Sequence, residues 1–269
     1  MNPLLHIENL SVHAGGKALV SDISFAVAPG ERLGLIGESG SGKSLTALAT
    51  IGLLADGLKV SGSVLLNGRQ VVGARDRDLV PLRGATAAVV FQEPLTALDP
   101  LMKIGRQVGQ AVRRRAKRDG RPTDATSVMS EVLDLLDQVA LPQPQRIAES
   151  WPHEISGGQR QRAAIAMALA CKPKLLIADE PTTALDVTTQ AEILRLLGQL
   201  VRERNMALLF ISHDLPVVAG TVDRVIVLRH GRVVEQGPVS TVFREPSHDY
   251  TRSLVAAARA FDNALENAP

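Results

Sequence analysis

RLGLIGESGSGKSLTALAT, residues 32–50, runs from an apolar segment of strand length through a glycine-rich loop into a helical pattern. Gly37, Glu38, Ser39, Gly40, Ser41, Gly42, Lys43 and Ser44 match the spacing G-x-x-x-x-G-K-[ST], in the strand-to-helix setting that the motif requires. The glycines let the backbone close around phosphate oxygens, so that successive N–H groups and the N-terminus of the following helix point at the anion. Lys43 is placed to neutralise β- and γ-oxygens, and Ser44 to offer its hydroxyl to Mg²⁺. The loop by itself leaves a second reading open, an ordinary glycine-rich turn.

Outward from the loop, Glu31–Ile36, Ala87–Phe91, Lys174–Ala178, Ala207–Ile211 and Arg224–Leu228 are apolar runs with polar or glycine flanks, as buried strands should be. Their alternation with helical patterns predicts an α/β domain with a largely parallel sheet. Leu4–Val12, Leu19–Val27 and Val60–Leu66, with a turn at Asn67-Gly68, predict a small antiparallel β subdomain. Between Pro94 and Gln159 the period turns helical, with an apolar stripe through Val128, Val132, Leu135, Leu136 and Val139, which predicts a separate helical subdomain.

The run Leu175–Ala178 ends in Asp179 and Glu180. Ligands of an open parallel sheet sit beyond the carboxyl ends of its strands, so both acids are expected where the phosphate loop lies. Asp179 can hold Mg²⁺. Glu180, facing the other way on an extended chain, can orient or deprotonate a water aimed at the γ-phosphorus. The competing reading has this pair cap a helix opened by Pro181-Thr182.

Composition narrows the classes. A chain of 269 residues with 45% apolar content has enough apolar side chains for a sizeable core and is not disordered. No apolar stretch nears the roughly 20 residues of a bilayer-spanning helix; the best, Ala163–Cys171, is bounded by Arg162 and Lys172. The start, MNPLLHIENLSV, has no secretory pattern, so cytoplasmic residence is expected. Cys171 is the single cysteine, which excludes an intrachain disulfide and thiolate clusters. Eight basic residues and one acidic residue between Lys103 and Arg121 give a local charge of +7 in a chain of net +2. No aromatic residue interleaves this run to stack bases, so no nucleic-acid partner is expected. A solvated helix face and proximity to anionic lipid stay open.

Ile155–Gln159, ISGGQ, followed by RQRAAIAMAL, resembles the signature motif of ATP-binding-cassette ATPases, usually written LSGGQ. Gln92 after AAVVF resembles that family's Q-loop, TALD from Thr183 to Asp186 its D-loop, and His213 after LLFIS its switch histidine. All stand in the family's order, and the resemblance extends from Ile7 to Gly237. It implies a P-loop NTPase fold with ATP and Mg²⁺ as ligands: a RecA-like core with its antiparallel β subdomain at 1–93 and 160–240, a helical subdomain at 94–159 ending in the signature, and a tail at 241–269. It also implies a second nucleotide-binding domain packed head to tail, with each ATP between the phosphate loop of one domain and Ser156, Gly157, Gly158 and Gln159 of the other. Gln92 is then expected at Mg²⁺ or the attacking water, His213 at the γ-phosphate aligning Glu180, and Asp186 shaping the partner's site. Read without the family, His213 is a strand-end histidine bonded to backbone, Gln92 a surface turn residue, and Asp186 the N-cap of VTTQAEIL.

One departure is LSVHAGG, which places Ala14 where most members stack an aromatic ring on adenine; two readings of His13 stay open, a substitute for that ring and an exposed histidine in a glycine-rich turn. FQEPLTALDPLMKIGRQV, the WPHEISGGQ form and EPSHDYTRSL resemble the oligopeptide, dipeptide and nickel importer ATPases, in a short form without a C-terminal iron–sulfur cysteine cluster. The function so implied is an ATPase subunit energising uptake of peptides, nickel or metal chelates, peripheral on the cytoplasmic face of the cell membrane. Two permease subunits and an extracytoplasmic solute-binding protein are its implied partners. The alternative is a soluble accessory ATPase, such as one in carbon–phosphorus bond cleavage.

Overall fold

In the computed structural model, which describes residues 2–183 and 185–266, the apolar runs fold as strands and the periodic segments as helices. The chain begins β1 (Leu5–Ala14), β2 (Lys17–Val27), β3 (Arg32–Ile36), α1 (Lys43–Ala49), β4 (Leu58–Leu66), β5 (Arg69–Gln70), α2 (Asp76–Leu79) and β6 (Ala87–Val90). There follow α3 (Pro94–Ala97), α4 (Ile104–Arg118), α5 (Ala125–Gln138), α6 (Pro144–Glu149), α7 (Gly157–Leu169) and β7 (Leu175–Asp179). The rest is α8 (Val187–Glu203), β8 (Ala207–Ile211), α9 (Leu215–Thr221), β9 (Arg224–Arg229), β10 (Arg232–Pro238), α10 (Val239–Arg244) and α11 (Asp249–Glu266). Two compact units result, one from the described residues up to Val80 and from Asn205 onward, the other from Pro81–Arg204.

The first unit holds the antiparallel sheet β2-β1-β4-β5. Asn67 and Gly68, both at positive φ, close its β4–β5 turn, the geometry that matches the twist of paired strands. The same unit holds strands in the order β10-β9-β3-β8, with β3 parallel to both β8 and β9 and β10 antiparallel to β9. Leu33, Leu35, Ile36 and all of Leu208–Ile211 are buried, because β3 has a strand on each side. An apolar central strand of this kind fixes where the glycine-rich loop leaves the sheet.

The second unit pairs β6 with β7 in parallel and packs α4, α5, α6 and α7 together. The stripe Val128, Val132, Leu135, Leu136 and Val139 is buried, as its spacing requires. Asp124 caps α5 by accepting from Ser127 N at 2.9 Å. The basic run is not a uniform surface face. Arg113, Arg114, Lys117 and Arg118 are exposed on α4, but Arg115 is fully buried, donating to Glu131 and, at 3.1 Å, to Ala170 O. Among the described residues no helix is long and apolar enough to cross a membrane.

Candidate active site

The loop after β3 is shaped by contacts that exclude side chains. Gly37 has φ +145°, and a Cβ there would lie 2.2 Å from Leu228 O, so only glycine fits between the loop and β9. Gly231 N donates to Ser41 O at 3.0 Å, tying the loop to the β9–β10 turn. Lys43 is buried, and its Nζ reaches back across the loop to donate to Gly37 O at 2.7 Å and Glu38 O at 2.9 Å. Ser41 Oγ is buried without a hydrogen-bond partner in the chain, the kind of group an anion oxygen satisfies. Glu38, Ser39, Gly40 and Ser44 are exposed, so the open side of the loop is accessible. Residues 37–44 therefore fit a phosphate chain.

His213 belongs to the same unit. β8 pairs with β3 in parallel, Leu35 opposite Ile211, and Ser212 N donates to Leu35 O at 3.3 Å. His213 thus leaves the sheet at the same end as the phosphate loop, one strand over. Asp214, next in sequence, caps α9 by accepting from Val217 N at 3.1 Å, which orients the turn that carries the histidine. At the far edge of the unit, β1 and β2 turn through Gly15 and Gly16, and a cleft of about 550 Å³ is lined by His13, Gly15, Gly16, Gly57, Lys59, Val60 and Ser61. His13 faces this cleft; Ala14 is not part of its lining.

In the second unit β6 and β7 run parallel with Val90 opposite Ala178, so Gln92, just past β6, and Asp179, the last residue of β7, emerge at one end of the pair. Gln92 is exposed. Glu180 departs from the expectation of an extended chain: its φ is +45°, a left-handed conformation rare for a residue with a Cβ. No helix starts at Pro181-Thr182 for the acids to cap. The Glu180 carboxylate instead accepts from Thr183 Oγ1 at 3.0 Å within a turn, and the next helix is α8 at Val187. Thr183 is a partner that the sequence did not signal.

Asp186 caps α8 by accepting from Thr189 N at 3.0 Å, and that bond holds its carboxyl below the usual range. The N-cap reading of Asp186 is the one the structure displays. Ala184, inside the expected D-loop, lies outside the described residues. Ser156 caps α7 reciprocally with Gln159: Gln159 N donates to Ser156 Oγ at 3.2 Å and Ser156 N to Gln159 Oε1 at 3.0 Å. The Ser156 hydroxyl accepts in this box, so its own proton is available to an external anion, and Ser156 and Gly157 are exposed. A Cβ on Gly158 would lie 2.6 Å from Thr189 Cγ2, so glycine permits α7 to start against α8.

Comparison with known proteins identifies the family. Residues 20–183 match the family described as ABC transporter. The chain is 44% identical over 271 residues to the oligopeptide transport ATP-binding protein OppD of Haemophilus influenzae, covering 99% of this chain and 82% of that one. It is 47% identical over 261 residues to the peptidoglycan transport ATP-binding protein YejF of Agrobacterium fabrum, covering 95% of this chain and 47% of that one. Among solved structures it resembles the ATP-binding cassette MJ0796 in a dimeric post-hydrolysis state bound to ADP and Pi, with a TM-score of 0.76 at 27% identity over 87% of this chain and 98% of that one.

Proposed function

The chain belongs to the ABC transporter family of ATPases, and from that premise we propose that it binds and hydrolyses ATP to drive a multi-subunit importer of peptides. The observation that carries the proposal is the phosphate loop itself, with buried Lys43 drawn across it and an unpartnered Ser41 hydroxyl inside. Its similarity over nearly full length to an oligopeptide transport ATP-binding protein supports peptides as the cargo; nickel and metal chelates have no such support.

In this reading Lys43 exchanges its loop carbonyls for β- and γ-phosphate oxygens. By the family resemblance Ser44, Asp179 and Gln92 would hold Mg²⁺, which would supply charge neutralisation on the phosphates. Glu180, held by Thr183, orients and deprotonates the attacking water, and His213 contacts the γ-phosphate. Ser156, Gly157, Gly158 and Gln159 serve the nucleotide of a second cassette, and Asp186 shapes that shared site. The helical segment 94–159 faces two permease subunits at the cytoplasmic side of the membrane, with a solute-binding protein outside.

Purification from native membranes through a tag on this chain tests the reading. Integral permease subunits should co-purify in stoichiometric amount. Recovery with soluble enzymes alone would favour a soluble accessory ATPase.

A further inference from the structure

Glu38, on the exposed shoulder of the phosphate loop, is gripped from both sides. Its carbonyl accepts from Lys43 Nζ at 2.9 Å, and its N–H donates to the hydroxyl of Tyr250 at 3.0 Å, from a residue 212 positions later. Tyr250 is 6% exposed, at the start of α11, and the Arg229 guanidinium lies 4.8 Å from its ring centroid. The turn before it is fastened to β10, because Glu235 accepts from Ser247 N and Oγ, both at 2.8 Å, and from His248 N at 3.1 Å. Tyr250 N in turn donates to His248 Nδ1 at 3.1 Å. α11 also packs on α9, the helix that begins just after His213. The start of the C-terminal helix is therefore fastened to β10 and reaches the nucleotide loop through the Tyr250 hydroxyl.

We infer that Tyr250 is a positioning residue for nucleotide binding, whose hydroxyl holds the Glu38 peptide in the conformation that accepts a phosphate chain. The inference rests on the reading of residues 37–44 as the nucleotide loop. A backbone amide has one proton, so the Glu38 N–H bonded to Tyr250 is withheld from the anion and the cradle is formed by the amides that follow. The carbonyl of that same peptide group, Gly37 O, accepts from Lys43 Nζ at 2.7 Å. Removing the hydroxyl frees that peptide to rotate, the fraction of loops in the binding shape falls, and apparent affinity falls with it. A single net hydrogen bond sets the size of the effect at roughly three- to tenfold.

Tyr250→Phe isolates the hydroxyl, since the ring remains buried against Arg229. The full chain, wild type and variant, is titrated calorimetrically with ATP and with inorganic tripolyphosphate, and hydrogen exchange is followed at the Glu38 amide. Both ligands should weaken by one common factor of roughly three to ten, the Glu38 amide should exchange faster, and the melting midpoint should move by less than about 4 °C. Affinities equal to wild type or tighter would overturn the inference, as would a loss seen for ATP but absent for tripolyphosphate. A wild-type chain that bound neither ligand would overturn the nucleotide reading as well, a result distinct from a variant that matches a binding-competent wild type.

Discussion

Lys43 donates to two loop carbonyls, so under the proposed function an incoming phosphate would compete with neutral acceptors and would win because its oxygens carry charge. Lys43→Ala deletes that gain, and ATP affinity should fall roughly ten- to hundredfold. Glu180 has a different task. Its carboxylate is held by Thr183 at a left-handed bend, and in the proposed mechanism it would act on the attacking water rather than on ground-state phosphate. Glu180→Gln should therefore keep ATP affinity near wild type while turnover drops roughly 100-fold or more. Equilibrium binding and steady-state hydrolysis measured on both variants separate the two roles; a Glu180→Gln chain with half its turnover would remove the glutamate from the chemistry.

Two elements make stability arguments of their own. In the bundle of α4 and α5, burial pushes the Glu131 carboxyl up, and the hydrogen bond and charge of Arg115 more than offset this, leaving it below the usual range. Glu131→Ala would leave the buried Arg115 guanidinium with only Asp119, at 3.8 Å, as counter-charge, a loss of about 3 kcal/mol, whereas Arg115→Met with Glu131→Leu should be near neutral. Denaturant unfolding of the three proteins checks the contrast. At the anchor of α11, burial again pushes Glu235 up, but the hydrogen bonds from Ser247 and His248 outweigh it and hold its pKa at about 2, against the usual 4.5. A carboxyl depressed in the folded state contributes stability above the unfolded value and loses it as pH falls through the folded one. Melting temperature of the wild type should accordingly decline between pH 4.5 and about 2, and Glu235→Gln should flatten that part of the curve.

Much of this element layout was legible in the sequence. Buried strands such as Ala207–Ile211 announce themselves by unbroken apolar runs, and α5 by a stripe at helical spacing, because burial acts directly on composition. Glycine-rich phosphate cradles are equally legible, since their geometry admits few residue types. Other features left no local trace. The left-handed bend at Glu180 falls on a residue without a glycine's signal, and the competing reading of a helix opened by Pro181-Thr182 is not what forms, since α8 starts only at Val187. The grip of Tyr250 on Glu38 spans 212 residues, and EPSHDYTRSL marked a subfamily without revealing a contact. Nor could charge spacing reveal that Arg115, alone in its basic run, points inward.

At the scale of the whole molecule, this chain carries both a phosphate loop and the exposed, self-capped Ser156 of the signature, and the proposed assembly uses them on different nucleotides. Ser156→Arg puts a bulky cation where a second cassette would present its γ-phosphate, without touching the chain's own loop. ATP binding by the isolated variant should match wild type, and hydrolysis in the membrane complex should stop. The most direct test of a shared catalytic site is the rate of ATP hydrolysis per chain, measured for the isolated wild-type chain and for the complex purified from native membranes at saturating ATP. The isolated chain should bind ATP yet turn it over roughly 100-fold or more slowly than the complex, since half of the groups that stabilise the transition state would come from the second cassette. An isolated, monomeric chain that hydrolysed ATP at the full rate of the complex would contradict the shared site.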